Sequence, residues 1–217
     1  MAWERRRIVP AFGATMVKVP FSDDDGEASE QMWVDEIDFD GRYIYGVLAN
    51  EPNHLTSIRQ GDDVRVEVDE ISDWLITDND HVVGAFTVNA IRAQMDEQNR
   101  AEHDNAWGLV FPEDPYEPVM APSWFEGDLD AEHPMSLNMA ESLSDYLKSD
   151  SSAASVVDDH GMTMLHQLAL AGSTTGVSVM LQHGADLEAR TNEGYTALDL
   201  AKMFEWEPIE RLLERAD

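Results

Sequence analysis

Two six-residue segments near the end of the sequence are closely similar. Gly161–His166 reads GMTMLH, and Gly194–Asp199 reads GYTALD. A 33-residue period with the pattern Gly-x-Thr-x-Leu is typical of architectures in which one helix pair stacks on the next. Because a single pair cannot bury its apolar face alone, the sequence predicts a short helical stack.

The first copy has glycine and threonine where a turn would become a helix. Gly161 can adopt positive φ, and the hydroxyl of Thr163 can cap the first amides of a helix. Leu165, Leu168 and Ala169 follow at helical spacing, so they are expected to form the buried face of that helix.

Each copy also contains apolar residues that predict a second helix. They are Val177, Met180 and Leu181 in the first copy, and Ile209, Leu212 and Leu213 in the second. Gly184 is expected to end the first of these helices, and Pro208 is tolerated in the first turn of the other. The second copy is expected to have one residue fewer between its helices, as a terminal repeat can.

Together these elements resemble the ankyrin repeat, a turn followed by two antiparallel helices. The resemblance covers about 158–190 and 191–217, and it implies a protein-binding module. The matching turn and helix-start residues are Asp159, Gly161, Thr163, His166, Asn192, Gly194 and Thr196. We interpret His166 as a hydrogen-bonded residue at the helix start, since a single histidine does not define a metal site.

A further helix is predicted before the first repeat. Asn138 and Glu141 have the spacing of a capping box. The apolar stripe that follows consists of Leu143, Tyr146 and Leu147. Because about three repeats are normally needed for a stable stack, we expect the helix at 138–148 to pack on the first repeat within a module at 135–217.

The N-terminal part of the chain, 1–112, has extended rather than helical periodicity over most of its length. The predicted strands are residues 30–34, 42–48, 64–69 and 81–86. Asp40-Gly41 is a hairpin signal, and Val88, Ile91 and Met95 indicate a helix after the last strand. The fold class expected for 1–112 is therefore α+β, a β-meander with a helix, ahead of an all-α ankyrin-like module.

Several separated motifs in this part resemble the small bacterial domain of unknown function typified by YegJ. They are Met32-Trp33-Val34, Gly46 to Pro52, Gly61-Asp62, Ile71 to Trp74 and, in the trailing segment, His103 to Gly108. The resemblance covers about 28–112 and implies a domain without implying an activity.

Five residues of these motifs are candidate binding residues. They are Asn50, Asp73, Trp74, His103 and Trp107. Their structural interpretation is a loop position for Asn50, capping or a buried hydrogen bond for Asp73, and core packing for the tryptophans. The functional hypothesis is that they line one pocket, because binding pockets combine apolar walls with a few convergent polar groups.

The formal net charge of −30 restricts the partners of the chain. Forty-four acidic residues oppose 14 basic ones, so the surface repels nucleic-acid phosphates and anionic membranes, and neither is expected as a partner. Three explanations for the charge stay open: a salty cytoplasm, a strongly basic protein partner, or ordinary solubility.

No motif for catalysis, a metal or a cofactor is present in the sequence. The chain has no cysteine, which excludes disulfides and thiol nucleophiles. Glu36 and Asp38 resemble the start of a calcium loop, but Val47 stands where a bidentate glutamate is needed. We expect no cofactor and no metal. The many carboxylates do not identify an acid and base pair, and the absence of a catalytic motif favours a non-enzymatic protein.

Two features bear on organisation and location. The basic residues of the N-terminus are followed by Pro10, Gly13 and Lys18 rather than by an apolar core, so a cytoplasmic location is expected. The proline-rich segment at 113–134 also carries Tyr116, Trp124 and Phe125. So many aromatic residues favour a segment that lies on a surface over a free linker.

The sequence therefore predicts a cytoplasmic protein-binding chain of adaptor or immunity type. Its expected partner is another protein, for which a basic one such as a nuclease toxin fits the charge. The repeats are expected to complete one surface with the N-terminal domain. The alternative is a small-molecule-binding or hydrolase-like activity in that β domain.

Overall fold

The computed structural model describes residues 12–23, 29–119, 132 and 134–216. They form two compact units. The sheet unit contains the strands and helices between residues 12 and 119, and the helical unit contains the helices between residues 132 and 216. The expected order of an α+β part and an all-α part is confirmed. Trp124 and Phe125 lie outside the described residues.

The described part of the sheet unit is built on six antiparallel strands. They are β1 (Phe12–Ser22), β2 (Ser29–Phe39), β3 (Tyr43–Leu48), β4 (Asp63–Glu67), β5 (Asp73–Asp78) and β6 (His81–Gly84). Their order across the sheet is β4-β3-β2-β1-β5-β6. The first four strands thus form a meander, and the β5-β6 hairpin pairs with the other side of β1.

Strand β1 lies at the centre of the sheet and was not predicted from the sequence. Val17 and Val19 are fully buried on one of its faces, while Met16 packs against the hydrophobic core on the other. A central strand covered on both faces lacks the alternation of apolar and polar residues that identifies a half-exposed strand. Lys18 and Pro20 further obscured the pattern.

One face of the sheet is covered by two helices, α1 (Phe86–Arg92) and α2 (Glu97–Trp107), and by the chain that follows them. The buried residues of this core are Trp33, Leu75, Val82, Ala85, Val88 and Phe111. The helix expected to include Ile91 and Met95 is shorter than predicted: α1 ends at Arg92, and Ile91 is 50% exposed.

The outer edge of β6 is covered by the segment that follows α2. The amide of Val82 donates to the carbonyl oxygen of Val110 at 2.9 Å, and the amide of Gly84 donates to that of Val119 at 2.8 Å. The described part of the proline-rich segment, up to Val119, is therefore hydrogen bonded to the sheet unit. An edge covered in this way offers fewer free backbone groups to another strand.

The helical unit contains the two predicted helix pairs and a shorter pair before them. These helices are α3 (Pro134–Asn138), α4 (Ala140–Ser149), α5 (Met164–Leu170), α6 (Thr174–Gln182), α7 (Ala197–Met203) and α8 (Glu207–Ala216). Three residues join α5 to α6, and three join α7 to α8. The expectation of a shorter connection in the second copy is therefore wrong.

Helix α4 occupies the place of the second helix of an earlier repeat. Leu147, Met180 and Leu213 follow one another at intervals of one repeat period, and all three are buried. They lie on α4, α6 and α8, and α4 packs on α6 as α6 packs on α8. The predicted packing of this helix on the first repeat is confirmed.

The start of α4 differs from the prediction. Its N-cap is Met139, without a side-chain hydrogen bond, because Asn138 is the last residue of the short helix α3. The expected capping box of Asn138 and Glu141 is therefore absent. Leu143 and Leu147 are buried as predicted, whereas Tyr146 is 49% exposed.

Candidate functional sites

His166 joins the two ankyrin-like repeats. Its Nδ1 accepts a hydrogen bond from the amide of Thr163 at 3.1 Å. Its Nε2 lies 3.0 Å from the carbonyl oxygen of Ala189, at the end of the first repeat, and 3.2 Å from that of Tyr195, in the second, so Nε2 is the donor. Burial of the ring lowers the pKa of His166, despite these two carbonyl contacts.

The turns of the two repeats are also hydrogen bonded to each other. The amide of Asn192 donates to the carbonyl oxygen of His160, and its side-chain Nδ2 donates to that of Asp159, each at 2.9 Å. Gly161 has a φ of 72°, and a Cβ there would lie 2.9 Å from the backbone nitrogen of Asn192. The glycine thus provides both the turn conformation and the close approach of the repeats.

Each first helix begins with a threonine cap. The hydroxyl of Thr163 accepts from the amide of His166 at 3.5 Å, and that of Thr196 accepts from the amide of Asp199 at 3.1 Å. The Asp199 carboxylate accepts from the amide of Thr196 at 2.9 Å, and this hydrogen bond lowers the pKa of Asp199. Asp199 thus replaces, one repeat later, the histidine of the first repeat. Gly194, in the turn of the second repeat, has a φ of 88°.

A tryptophan contact between the repeats was missed in the sequence. The indole Nε1 of Trp206 donates to the carbonyl oxygen of Leu170 at 3.1 Å. Gly172 has a φ of 74°, and a Cβ there would lie 2.9 Å from the indole ring. Glu205 occupies the corresponding position one repeat later, and it also has a positive φ, of 57°. When the two repeats are compared at an offset of one period, Gly172 aligns with Glu205. The glycine at that position is the sequence signal that could have identified the contact with Trp206.

In the sheet unit, Asp73 is the buried hydrogen-bond acceptor that starts α1. Ala85, at the N-cap of α1, is in the left-handed conformation and provides no side-chain cap. The Asp73 carboxylate accepts instead from the amides of Phe86 at 3.1 Å and Thr87 at 2.7 Å, and from the Thr87 hydroxyl at 2.6 Å. A charge in this position also stabilises the helix N-terminus.

Lys18 lies beside this carboxylate on the same face of the sheet. In the strand register Lys18 is opposite Trp33 on one side and Asp73 on the other. Its ammonium donates to the Thr87 hydroxyl at 3.0 Å and lies 5.4 Å from the centre of the Trp33 ring. Lysine, threonine and aspartate thus form a polar chain next to an aromatic surface.

His103 and Trp107 lie one helical turn apart on α2, with their ring centres 6.2 Å apart. Trp107 packs edge-on against Trp33, also at 6.2 Å, and the Asn50 side chain accepts a hydrogen bond from the Trp33 amide at 2.9 Å. Three of the five candidate residues, Asn50, Asp73 and Trp107, are thus neighbours of Trp33 or Lys18, and His103 is linked to them through its contact with Trp107.

Trp74 is directed to the opposite face of the sheet from Asp73, because side chains alternate along a strand. Its ring packs edge-on against Phe86 at a centre-to-centre distance of 5.7 Å. Whether the other four line a ligand pocket stays a prediction.

An ion pair between α1 and α2, with a buried arginine and a half-buried aspartate, adjoins this arrangement and was not predicted. Arg92 is 2% exposed, and its guanidinium donates to both oxygens of Asp104, at 2.8 and 2.7 Å. It also donates to the Asn89 side chain at 2.7 Å. Burial alone would raise the pKa of Asp104, but hydrogen bonds from Arg92 and the neighbouring His103 outweigh it and lower that pKa.

Two other kinds of site are absent from the described residues. Within the described ranges, no group of three or more histidine or carboxylate side chains is arranged to hold a metal ion. None of the helices that the structure describes has the length and apolar character of a membrane span.

The fold and these contacts define an ankyrin repeat protein with an α+β domain in front of the repeats. Residues 149–201 match the family of ankyrin repeats, and residues 1–111 match the family described as "Uncharacterized protein conserved in bacteria (DUF2314)". The chain belongs to this DUF2314 family, and both resemblances seen in the sequence are confirmed. Because ankyrin repeats are protein-binding modules, protein partners are indicated.

The chain is similar to three known proteins in different parts. It is 46% identical to an ankyrin repeat protein of Neisseria meningitidis serogroup B, over 98% of this chain and 85% of that protein. It is 27% identical to the uncharacterized protein YegJ of Escherichia coli over 75 residues, which are 35% of this chain and 48% of YegJ. A palmitoyltransferase of Homo sapiens is 49% identical over 43 residues, 20% of this chain and 7% of that enzyme.

Proposed function

We propose that this chain is a cytoplasmic, non-enzymatic adaptor or immunity-like protein that binds a basic protein. The observation that carries the proposal is the stack of repeats, held together by His166, Asn192 and Trp206. Such a stack offers a rigid surface, which lowers the entropic cost of binding. Similarity to an ankyrin repeat protein over nearly the whole chain supports the same function.

The charge of the chain supports a basic partner. With a net charge of −30, long-range attraction would increase the rate at which a cationic protein encounters this surface. The effect weakens as salt screens the charges. An association rate that falls steeply with salt is therefore the expected signature.

The first test is capture from native lysate with the full-length chain, followed by kinetics with the purified partner. We expect a stoichiometric protein partner whose association rate falls at least tenfold between low and physiological salt. A rate independent of salt would contradict a basic partner, and absence of any stoichiometric partner would contradict the adaptor function.

A pair of matched variants locates the binding surface. Asp159→Asn with Glu188→Gln removes two exposed charges from the repeats, and Asp69→Asn with Glu97→Gln removes two from the sheet unit. Both variants change the net charge equally. If the repeats bind the partner, the first variant slows association more than the second, whereas equal slowing would argue against the repeats.

The alternative function is small-molecule binding or hydrolase-like activity in the sheet unit. The observation that favours it is the chain of Lys18, Thr87 and Asp73 beside the aromatic rings of Trp33 and Trp107. A ligand with an anionic group and a flat apolar part would fit these neighbours. No stoichiometric partner, together with a ligand-dependent rise in melting temperature that Lys18→Met abolishes, would favour this alternative.

A further inference from the structure

A small, leucine-lined depression lies on the surface where the end of the first repeat meets the second. Its volume is about 50 Å³, and its lining consists of Leu187, Glu188, Thr196, Leu198 and Leu213. All of these residues belong to the helical unit. Pockets for drug-sized ligands and cofactors have volumes of roughly 300–1,000 Å³. The depression is too small for such a molecule and suits the end of one aliphatic side chain.

The equivalent positions one repeat period earlier in the chain are covered. Ala154, Leu165 and Met180 lie one repeat period before Leu187, Leu198 and Leu213, and all three are buried. In contrast, Leu187 and Leu198 are partly exposed. The apolar surface formed by these positions is therefore covered at the earlier period and exposed one period later. The depression is this exposed surface.

Two natural differences between the repeats make this face unsuitable for packing against a further repeat of the same kind. Asp199 stands at the position of His166, which donates to the carbonyl groups of Ala189 and Tyr195, and a carboxylate cannot donate in this way. Glu205 stands where Gly172 leaves space for the indole of Trp206. This face has the apolar depression, but it lacks the histidine and the glycine through which the first repeat contacts the second.

The charges around the depression indicate the nature of its occupant. Glu188 lines it, and the carboxylate of Asp199 is hydrogen bonded to Thr196, which also lines it. The nearby cations have partners: Arg190 donates to the carbonyl oxygen of Gly194, and Lys202 pairs with Glu214. Both cations still act on Asp199, whose pKa they help to lower, so the features that favour a basic occupant are Glu188 and the net charge of −30 of the whole chain.

We propose that this depression docks an aliphatic side chain carried by a basic segment of a partner protein. The inference rests on the proposed function, since it assigns a contact point to the same partner. The apolar side chain would replace water against the three leucines, and flanking lysine or arginine residues would pair with Glu188 and Asp199.

The proposal is tested by nuclear magnetic resonance on the full chain with methyl-labelled leucine. The probes are three peptides: acetyl-Lys-Lys-Leu-Lys-Lys-amide, the same peptide with alanine at the centre, and a version with leucine flanked by glutamates. We expect the first to shift the methyl signals of Leu187, Leu198 and Leu213 and to bind at least fivefold more tightly than the other two.

Two variants separate docking from loss of structure. Leu187→Phe fills the depression, and Leu137→Phe makes the same change at an exposed position on α3. Leu187→Phe should weaken binding of the leucine peptide at least fivefold, and Leu137→Phe should leave that binding unchanged. Urea unfolding verifies that both variants fold.

Equal binding of the three peptides, or shifts confined to other leucines, would overturn the proposal. So would leucine signals that shift with protein concentration alone, because a second copy of the chain would then be the occupant. The proposed function can be judged separately: if Leu187→Phe leaves affinity for the captured partner unchanged, only the docking site is wrong.

Discussion

At the scale of single residues, Gly172 and Glu205 occupy equivalent positions in the same kind of turn, although only one of them has a side chain. Both have positive φ, and the amide of the following residue closes the turn in each case, Ser173 to Leu168 at 2.9 Å and Trp206 to Ala201 at 2.9 Å. The left-handed conformation costs a residue with a Cβ about 1–2 kcal/mol. Glutamate at 205 therefore holds strain that glycine at 172 avoids.

We expect Glu205→Gly to increase the free energy of unfolding by about 1 kcal/mol, because relief of strain exceeds the entropic cost of glycine. Gly172→Ala should decrease it by about 2–3 kcal/mol, because strain is joined by a clash with Trp206. Urea unfolding measures both. Glu205→Gln is the control for loss of charge, and a Glu205→Gly variant no more stable than it would contradict the strain argument.

His166 makes the stability of the repeats depend on pH. Its folded-state pKa is lowered, mainly by burial, so the unfolded chain takes up the proton first as pH falls. The stability contributed by the neutral ring is complete above about pH 6.5 and is lost as pH falls below it towards the folded-state pKa.

His166→Gln cannot titrate and should therefore lack this loss. We expect the stability advantage of the natural chain over the variant to be largest near pH 7.5 and to decrease as the pH falls to about 5.5. Urea midpoints at several pH values measure the difference. An advantage that grows on acidification would reverse the sign and contradict the assignment.

At the scale of elements, α1 depends on a residue from a strand rather than on a cap of its own. Asp73→Ala should decrease the free energy of unfolding by about 3 kcal/mol, since it leaves buried donors unpaired. The comparison is Asp96→Ala, which removes the exposed N-cap of α2 and should cost about 1 kcal/mol. Equal losses for the two variants would show that burial of Asp73 does not matter.

Elements with local signals were predictable, and those defined by distant contacts were not. Thr163 and Gly161 specify a turn and a helix start within a short stretch of chain, and both are found as expected. Strand β1 is defined by its neighbours β2 and β5, from distant parts of the chain. A pattern read along the sequence does not contain that information.

The candidate site follows the same rule. The sequence identified Asp73 as a residue that suits a buried hydrogen bond, and it gave His103 only as a candidate pocket residue. It could not show that Lys18 lies between Trp33 and Asp73, because that neighbourhood depends on the pairing of three strands. The bidentate pair of Arg92 with Asp104 was missed for the same reason, since it joins two helices.

At the scale of the whole molecule, α3 and α4 bring the stack closer to the number of repeats that usually stands alone. We expect a fragment of residues 132–217 to unfold cooperatively in urea and a fragment of residues 150–217 to lack a cooperative transition. The second fragment loses α4, whose Leu143 and Leu147 are buried in the core of the stack. Similar transitions for both fragments would show that α4 does not complete the stack.

The hydrogen bond between Gly84 and Val119 affects where the sheet unit can be cut. A fragment that ends at residue 111, where the match to the DUF2314 family ends, would lose the Val119 carbonyl that accepts from the edge of β6. An uncovered edge can pair with the same edge of another molecule. Such a fragment would be prone to aggregate during purification, and one that continues past Val119 would stay monodisperse.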